Sequence, residues 1–119
     1  MEIFREYRIE AAHRLPRMPE GHKCFRLHGH SFQIELWLEG APDPQSGMLV
    51  DFFEVDRAFQ PIFDQLDHRY LNEIEGLENP TSENLSRWLW ERAAPVIPGL
   101  SRVVVRETCD TGCVYRGKD

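Results

Sequence analysis

The stretch CFRLHGH, residues 24–30, sets two histidines on either side of one glycine, with a cysteine four positions before the first of them. If this stretch enters a strand, the two-residue period puts His28 and His30 on one face, close enough to share a metal ion. A third histidine, His13, ends an alternating segment and becomes a neighbour of His28 if the two segments pair antiparallel. Three imidazoles then converge at one mouth of a sheet. Three protein ligands leave a fourth tetrahedral position open, which is the catalytic form of a zinc centre. Imidazole suits other transition metals as well. Two polar residues at the start of a strand would explain His28 and His30 taken alone; His13 on a neighbouring strand is what favours the metal reading. His22, in the intervening loop, reads as solvated or substrate-facing.

Other residue types add candidate chemistry, each with a plainer alternative. A thiol beside a cation, Lys23 and Arg26 can act as base or nucleophile, so Cys24 is a candidate; a lone cysteine is also commonly buried and inert. Asp67 and His68 are adjacent, and a carboxylate beside an imidazole can relay a proton; from spacing alone, a histidine at a helix C-terminus that meets the dipole is the preferred reading. Glu107 ends an otherwise apolar strand, where it could accept two parallel hydrogen bonds from an N–H/NH2 edge, or simply be a strand-end carboxylate. Cys109 and Cys113 read as packing residues, and the three cysteines with one histidine as a closed structural site is the remaining option.

Alternation must place these groups. Residues 3–13 put Ile3, Tyr7, Ile9, Ala11 and His13 on one face and Glu6, Arg8 and Glu10 on the other, which predicts a half-buried strand. Residues 28–39 alternate more strongly, with His28, His30, Phe32, Ile34, Leu36 and Leu38 on one face and Ser31, Gln33, Glu35 and Glu39 on the opposite one. The connection between the two strands exceeds the ~12 residues beyond which a loop in a compact domain is usually functional or disordered. After the turn cluster APDPQSG, MLVDF reads as a short strand or extended segment. Asp51 and Glu54 form a helix start, and Val55, Phe59, Ile62, Phe63 and Leu66 follow at helical spacing, with a kink or break expected at Pro61. Residues 66–80 read as mostly loop. Pro80, Thr81 and Ser82 open a second helix, expected to bury Leu85, Trp88, Leu89 and Val96. RVVVRET and CVYRG read as the last two strands. The order strand-strand-helix-helix-strand-strand predicts an α+β protein: an antiparallel sheet with helices on one face.

A chain of 119 residues suits one domain, spanning 1–119. A net charge of −6 argues against general nucleic-acid binding. No apolar run approaches the ~20 residues of a membrane span, and MEIFREYRIE is too charged for a signal peptide. Three cysteines, an odd number, speak against a disulfide framework and for a reducing, cytoplasmic location.

The segments EAAHRL, CFRLHGHSF, DFFEV, LDHRYLN, NPTSENL and RETCDTGCVYRG resemble the 6-pyruvoyl-tetrahydropterin synthase superfamily over residues 4 to 117. Within it they are similar to the bacterial queuosine-pathway 6-carboxytetrahydropterin synthases, which also carry three residues between the cysteine and His-Gly-His. Leu27 stands where a folate-linked subgroup has glutamate. The resemblance implies the tunnelling fold, a four-stranded antiparallel sheet backed by two helices, assembled as a homohexamer of two trimers with active sites between subunits, so that Glu107 would face a neighbour's metal. It implies one zinc ion per subunit held by His13, His28 and His30, and acting as a Lewis acid. Cys24 would be the catalytic thiol, Asp67 and His68 its relay partners, and Glu107 the anchor of a pterin ring with Thr108 nearby. The implied reaction converts 7,8-dihydroneopterin triphosphate to 6-carboxy-5,6,7,8-tetrahydropterin, acetaldehyde and triphosphate, without nicotinamide or flavin. Lys23, Arg26 and Arg17 are the candidates for holding the triphosphate. A 6-pyruvoyl-tetrahydropterin synthase, which keeps the side-chain carbons, is the alternative enzyme; a zinc-stabilised, non-catalytic interaction domain is the alternative of another class.

Overall fold

The computed structural model describes residues 1–119. Two long strands, β1 (Glu2–His13) and β2 (His28–Glu39), lead to helices α1 (Phe52–Leu66) and α2 (Ser82–Ala93), and β3 (Leu100–Thr108) and β4 (Thr111–Tyr115) follow. The sheet order is β1-β2-β3-β4, antiparallel throughout. The strand residues that enter the core have a single parity: Ile9 and Ala11, then Phe32, Ile34, Leu36 and Leu38, then Val103 and Val105. They meet Val55, Phe59, Ile62 and Leu66 of α1 and Leu85, Trp88 and Leu89 of α2, so both helices cover one face. Each of the valine, leucine, isoleucine and phenylalanine side chains among them contributes roughly 1.5–3 kcal/mol by leaving water. No helix is long and apolar enough to cross a membrane.

Both helix starts follow from their caps. The Asp51 carboxylate accepts from the Phe53 amide at 2.9 Å, and the Thr81 hydroxyl accepts from the Asn84 amide at 3.1 Å, each satisfying an amide that has no partner within its helix.

Several expectations are corrected. Of the two readings of MLVDF the strand does not form; the segment bends at Leu49 and Val50 and enters the helix through an extended Asp51 cap. Helix α1 runs through Pro61 without a break. Both Pro61 and Arg57, the residue whose carbonyl loses its partner, are exposed, so water can satisfy that carbonyl, while buried Phe59, Ile62 and Leu66 hold the adjoining turns. Val96 lies beyond α2 and is exposed; Ile97 is buried in its place. Glu35 sits on the polar face yet is buried, because Trp37 donates to it at 2.8 Å and Arg106 pairs with it at 3.1 Å. Cys109 is exposed at the β3–β4 turn and does not serve packing.

One irregular segment extends the sheet. The His68 amide donates to the Glu10 carbonyl at 2.7 Å, the Ala12 amide donates to the Arg69 carbonyl at 3.0 Å, and Tyr70 bridges Ala12 in parallel. Residues 68–70 thus cover the outer edge of β1 next to its histidine end.

Candidate active site

The β1–β2 register makes His13 and His28 direct partners. The ring centroids of His13 and His28 are 4.5 Å apart, those of His13 and His30 5.1 Å, and those of His28 and His30 4.9 Å. One nitrogen from each ring lies within 4.8 Å of the other two. Gly29 permits this approach: a Cβ there would stand 3.2 Å from the Ala11 carbonyl oxygen.

The far sides of two rings are fixed by main chain. His13 Nδ1 donates to the Pro80 carbonyl at 2.9 Å, and His28 Nδ1 donates to the Arg26 carbonyl at 2.7 Å. A carbonyl only accepts, so each Nδ1 carries the proton and each Nε2 presents a lone pair, the arrangement that orients metal-ligating histidines. His13 Nε2 and His30 Nε2 are buried with no hydrogen-bond partner in the chain, an unfavourable state that a cation would relieve. Burial holds both imidazoles below their ordinary pKa, against the upward pull of Glu107 and, for His13, of the Pro80 carbonyl. Neutral rings are the form that ligates. The donor set therefore fits a zinc-type ion.

Glu107 stands beside this cluster. Its oxygens lie 4.0 Å from His13 Nε2 and 3.8 Å from His30 Nε2, too far for hydrogen bonds, and it falls outside the mutually close ligand set. It faces its own chain's histidines. It also lines a cleft of about 520 Å³ with Leu15, Thr81, Ser82 and Cys113, between the start of α2 and the β3–β4 hairpin. The Thr108 hydroxyl is engaged with Asp110 and Thr111 in that hairpin's turn; Thr111, two residues before Cys113, lines the Glu107 cleft instead. An apolar cleft of about 400 Å³ at the other end of the sheet, around Leu38, Val55 and Ile97, gathers no imidazole or thiol.

Cys24 lies in a short 3-10 turn, Lys23–Phe25, part-way through the long loop. Its carbonyl accepts from the Leu15 amide at 2.8 Å, which ties the turn beside the end of β1. Its amide donates to His22 Nδ1 at 3.0 Å; His22 therefore caps the turn. Arg14 holds the same turn, donating to the Phe25 carbonyl at 3.1 Å with its guanidinium over the Phe25 ring.

Asp67 and His68 lie on the outer edge of β1, and His68 shares a cleft with His30 of the cluster. They lie across β1 from β2, about two strand spacings, or ~10 Å, from the β2 backbone. His68 Nδ1 meets Asp67 Oδ2 at 2.9 Å, and the His68 side chain is 78% exposed. Asp67 Oδ1 accepts from the Glu10 amide at 2.9 Å. That main-chain bond, and the His68 contact after it, hold the Asp67 carboxyl below its ordinary pKa. His68 alone among non-glycine residues has positive φ, +60°, a conformation unfavourable for a side-chain-bearing residue and often kept at functional sites. A cleft of about 590 Å³ joins His68, Arg69 and Tyr70 to Glu10, His30 and Ser31.

Some supporting groups escaped sequence reasoning. Asn72 clamps the residue after His13: its Oδ1 accepts from the Arg14 amide at 2.9 Å and its Nδ2 donates to the Arg14 carbonyl at 2.8 Å. The carbonyls of Pro80 and Arg26 orient the rings through main chain, which carries no signal in side-chain periodicity.

A four-stranded antiparallel sheet with two helices on one face and three imidazoles at its mouth defines an α+β protein of the tunnelling-fold class. Residues 2–118 match the model of the 6-pyruvoyl tetrahydropterin synthase family, and the chain belongs to that family. It is 40% identical to 6-carboxy-5,6,7,8-tetrahydropterin synthase of Synechocystis, over 95% of this chain and 91% of that one. It is 29% identical to the enzyme of the same name from Bacillus subtilis, over 98% and 86%. The structure of Caenorhabditis elegans 6-pyruvoyl tetrahydropterin synthase superposes with a TM-score of 0.91 at 28% identity, covering 99% of this chain and 96% of that one.

Proposed function

We propose that the protein is a single-domain, zinc-dependent lyase that converts 7,8-dihydroneopterin triphosphate to 6-carboxy-5,6,7,8-tetrahydropterin, acetaldehyde and triphosphate, on the route to queuosine in the cytoplasm. The observation that carries this reading is the convergence of His13, His28 and His30, with the Nδ1 protons of His13 and His28 tied to carbonyls, beside a carboxylate that is no part of the mutually close set.

His13, His28 and His30 would hold the metal. When bound, the ion supplies Lewis-acid stabilisation of negative charge developing on substrate oxygens. Glu107 accepts two hydrogen bonds from the N–H/NH2 edge of the pterin and fixes the ring, so that its side chain meets the protein's acid and base groups in a set orientation. Thr108 braces the hairpin on which Glu107 sits. The Cys24 thiolate takes a proton from the substrate side chain and returns one. His68, oriented by Asp67, moves a proton on the opposite side. The exposed position of His68 on the outer edge of β1 supports a site completed by a neighbouring copy, as in a hexamer of two trimers whose sheets join edge to edge and leave no strand edge unpaired.

The test is incubation of zinc-loaded protein with 7,8-dihydroneopterin triphosphate and identification of the products. Acetaldehyde and the 6-carboxy pterin are expected. A 6-pyruvoyl product with no acetaldehyde would replace this reading with the pyruvoyl synthase one. No turnover, together with unfolding on zinc chelation, would point to the structural-zinc domain.

A further inference from the structure

A triphosphate approaching a chain of net charge −6 needs local cations. Seven arginines already meet a carboxylate of their own chain, and Arg14 is engaged with Phe25. Arg69 is among the basic residues left without an ion-pair partner, and its place differs from that of the others. It follows His68 directly, and it lines the same cleft as His68, His30 and Tyr70.

Its main chain is fixed. The Arg69 carbonyl accepts from the Ala12 amide at 3.0 Å, and Tyr70 next to it bridges Ala12. The base of the side chain is thereby ordered while the guanidinium stays exposed, so less freedom is lost when it closes on a ligand. The Glu10 carboxylate in this cleft is already held by Arg8 and Ser31. Asp64 and Glu73 line the cleft on the other side of Arg69 without pairing with it.

We propose that Arg69 is a phosphate-contact residue that binds the phosphate chain of the substrate next to the relay histidine. The substrate's chemistry supports this placement. The phosphate ester is attached to the same short side chain whose carbons His68 serves, so the cation that holds it must sit within one side chain's reach of His68. Consecutive Cα atoms are about 3.8 Å apart, and a guanidinium matches phosphate geometry in a two-pronged contact that lysine cannot reproduce. This inference rests on the proposed phosphorylated pterin substrate, and it adds Arg69, beside His68, to Lys23 and Arg26, which flank Cys24.

The experiment measures inorganic tripolyphosphate binding by calorimetry on the zinc-loaded full chain, and KM for dihydroneopterin triphosphate alongside it. Arg69→Ala is expected to weaken tripolyphosphate binding by about tenfold or more and to raise KM by a similar factor. Arg69→Lys should recover only part of the loss. Arg116→Ala, which removes an equal charge from an exposed site elsewhere, should leave tripolyphosphate affinity unchanged. Equal losses in the Arg69 and Arg116 variants, unchanged affinity in Arg69→Ala, or no binding by the wild type would each overturn the assignment. If the wild type binds tripolyphosphate through Arg69 but releases no acetaldehyde, the functional reading fails while the phosphate contact stands.

Discussion

His13 and His28 oppose each other as register partners across β1 and β2, their ring centroids 4.5 Å apart, each ring tied through Nδ1 to a different main-chain carbonyl. Neither ring can turn without losing its hydrogen bond. The centre is therefore preorganised before any ion arrives, and the first prediction follows from that rigidity.

Replacing His28 by Ala removes one of three donors. Metal affinity should fall by more than about 100-fold, because even the outer partners of a ligand are worth about 10- to 100-fold. Metal content by atomic absorption, read with turnover, checks it; full stoichiometry in the purified variant refutes the ligand set.

Cys24→Ala should keep bound zinc and bind pterin as before, while turnover drops by at least about 100-fold, the usual lower scale of acid–base catalysis. Leu15 holds the loop through the Cys24 carbonyl, not through the thiol, so the turn should keep its shape. Unimpaired turnover would take the thiol out of the mechanism.

Glu107→Gln separates ring anchoring from ligation. A glutamine offers one acceptor oxygen and no charge, so pterin affinity should fall roughly 10- to 100-fold. Zinc content should not change, since Glu107 lies outside the ligand set. Loss of zinc in this variant would mean that the carboxylate closes the coordination sphere and that the open-site chemistry is wrong.

The Asp67 carboxyl is held below its ordinary value by the Glu10 amide first and by His68 second. A lowered folded-state pKa means that the unfolded chain binds the proton more tightly. The stabilisation is thus present above about pH 4, the unfolded aspartate value, and is lost as pH falls through the folded-state value. The protection of the Glu10 and His68 amides against hydrogen exchange, taken relative to the unstructured-chain rate at each pH, should fall over that range in the wild type. In Asp67→Asn the same amides should lose this acid dependence; an unchanged profile would show that another group governs the segment.

Pro61 sits inside α1, and both it and Arg57, one turn before it, are exposed. Pro61→Ala restores one helix hydrogen bond to the Arg57 carbonyl and should stabilise the protein by about 1–3 kcal/mol, the upper end being the helix-interior difference between the two residues. The gain is smaller if the lost rigidity of the unfolded chain offsets it. Urea denaturation reads the change, and a lower midpoint would contradict the account of how α1 tolerates the proline.

The element order was legible in the residues because period-two and helical hydrophobic patterns are local and strong, as in His28–Glu39 and around Phe59. The Asp51 and Thr81 caps were legible for the same reason, since a cap acts on an amide two or three residues away. Pro61 misled because a local rule for proline says nothing about which side of the helix faces water. Val96 misled because periodicity cannot tell where a helix stops.

The sequence by itself determined three imidazoles on one sheet face, a thiol in the loop before the second strand and a carboxylate near the end of the third, since alternation dictates side-chain direction. Only tertiary structure decided that Pro80 and Arg26 would aim the rings, that Asn72 would lock Arg14 across 58 residues, and that Asp67 and His68 would line the outer edge of β1. Those outcomes come from main-chain hydrogen bonds between distant segments. Any residue's amide or carbonyl can form such a bond, so side-chain identity does not encode it.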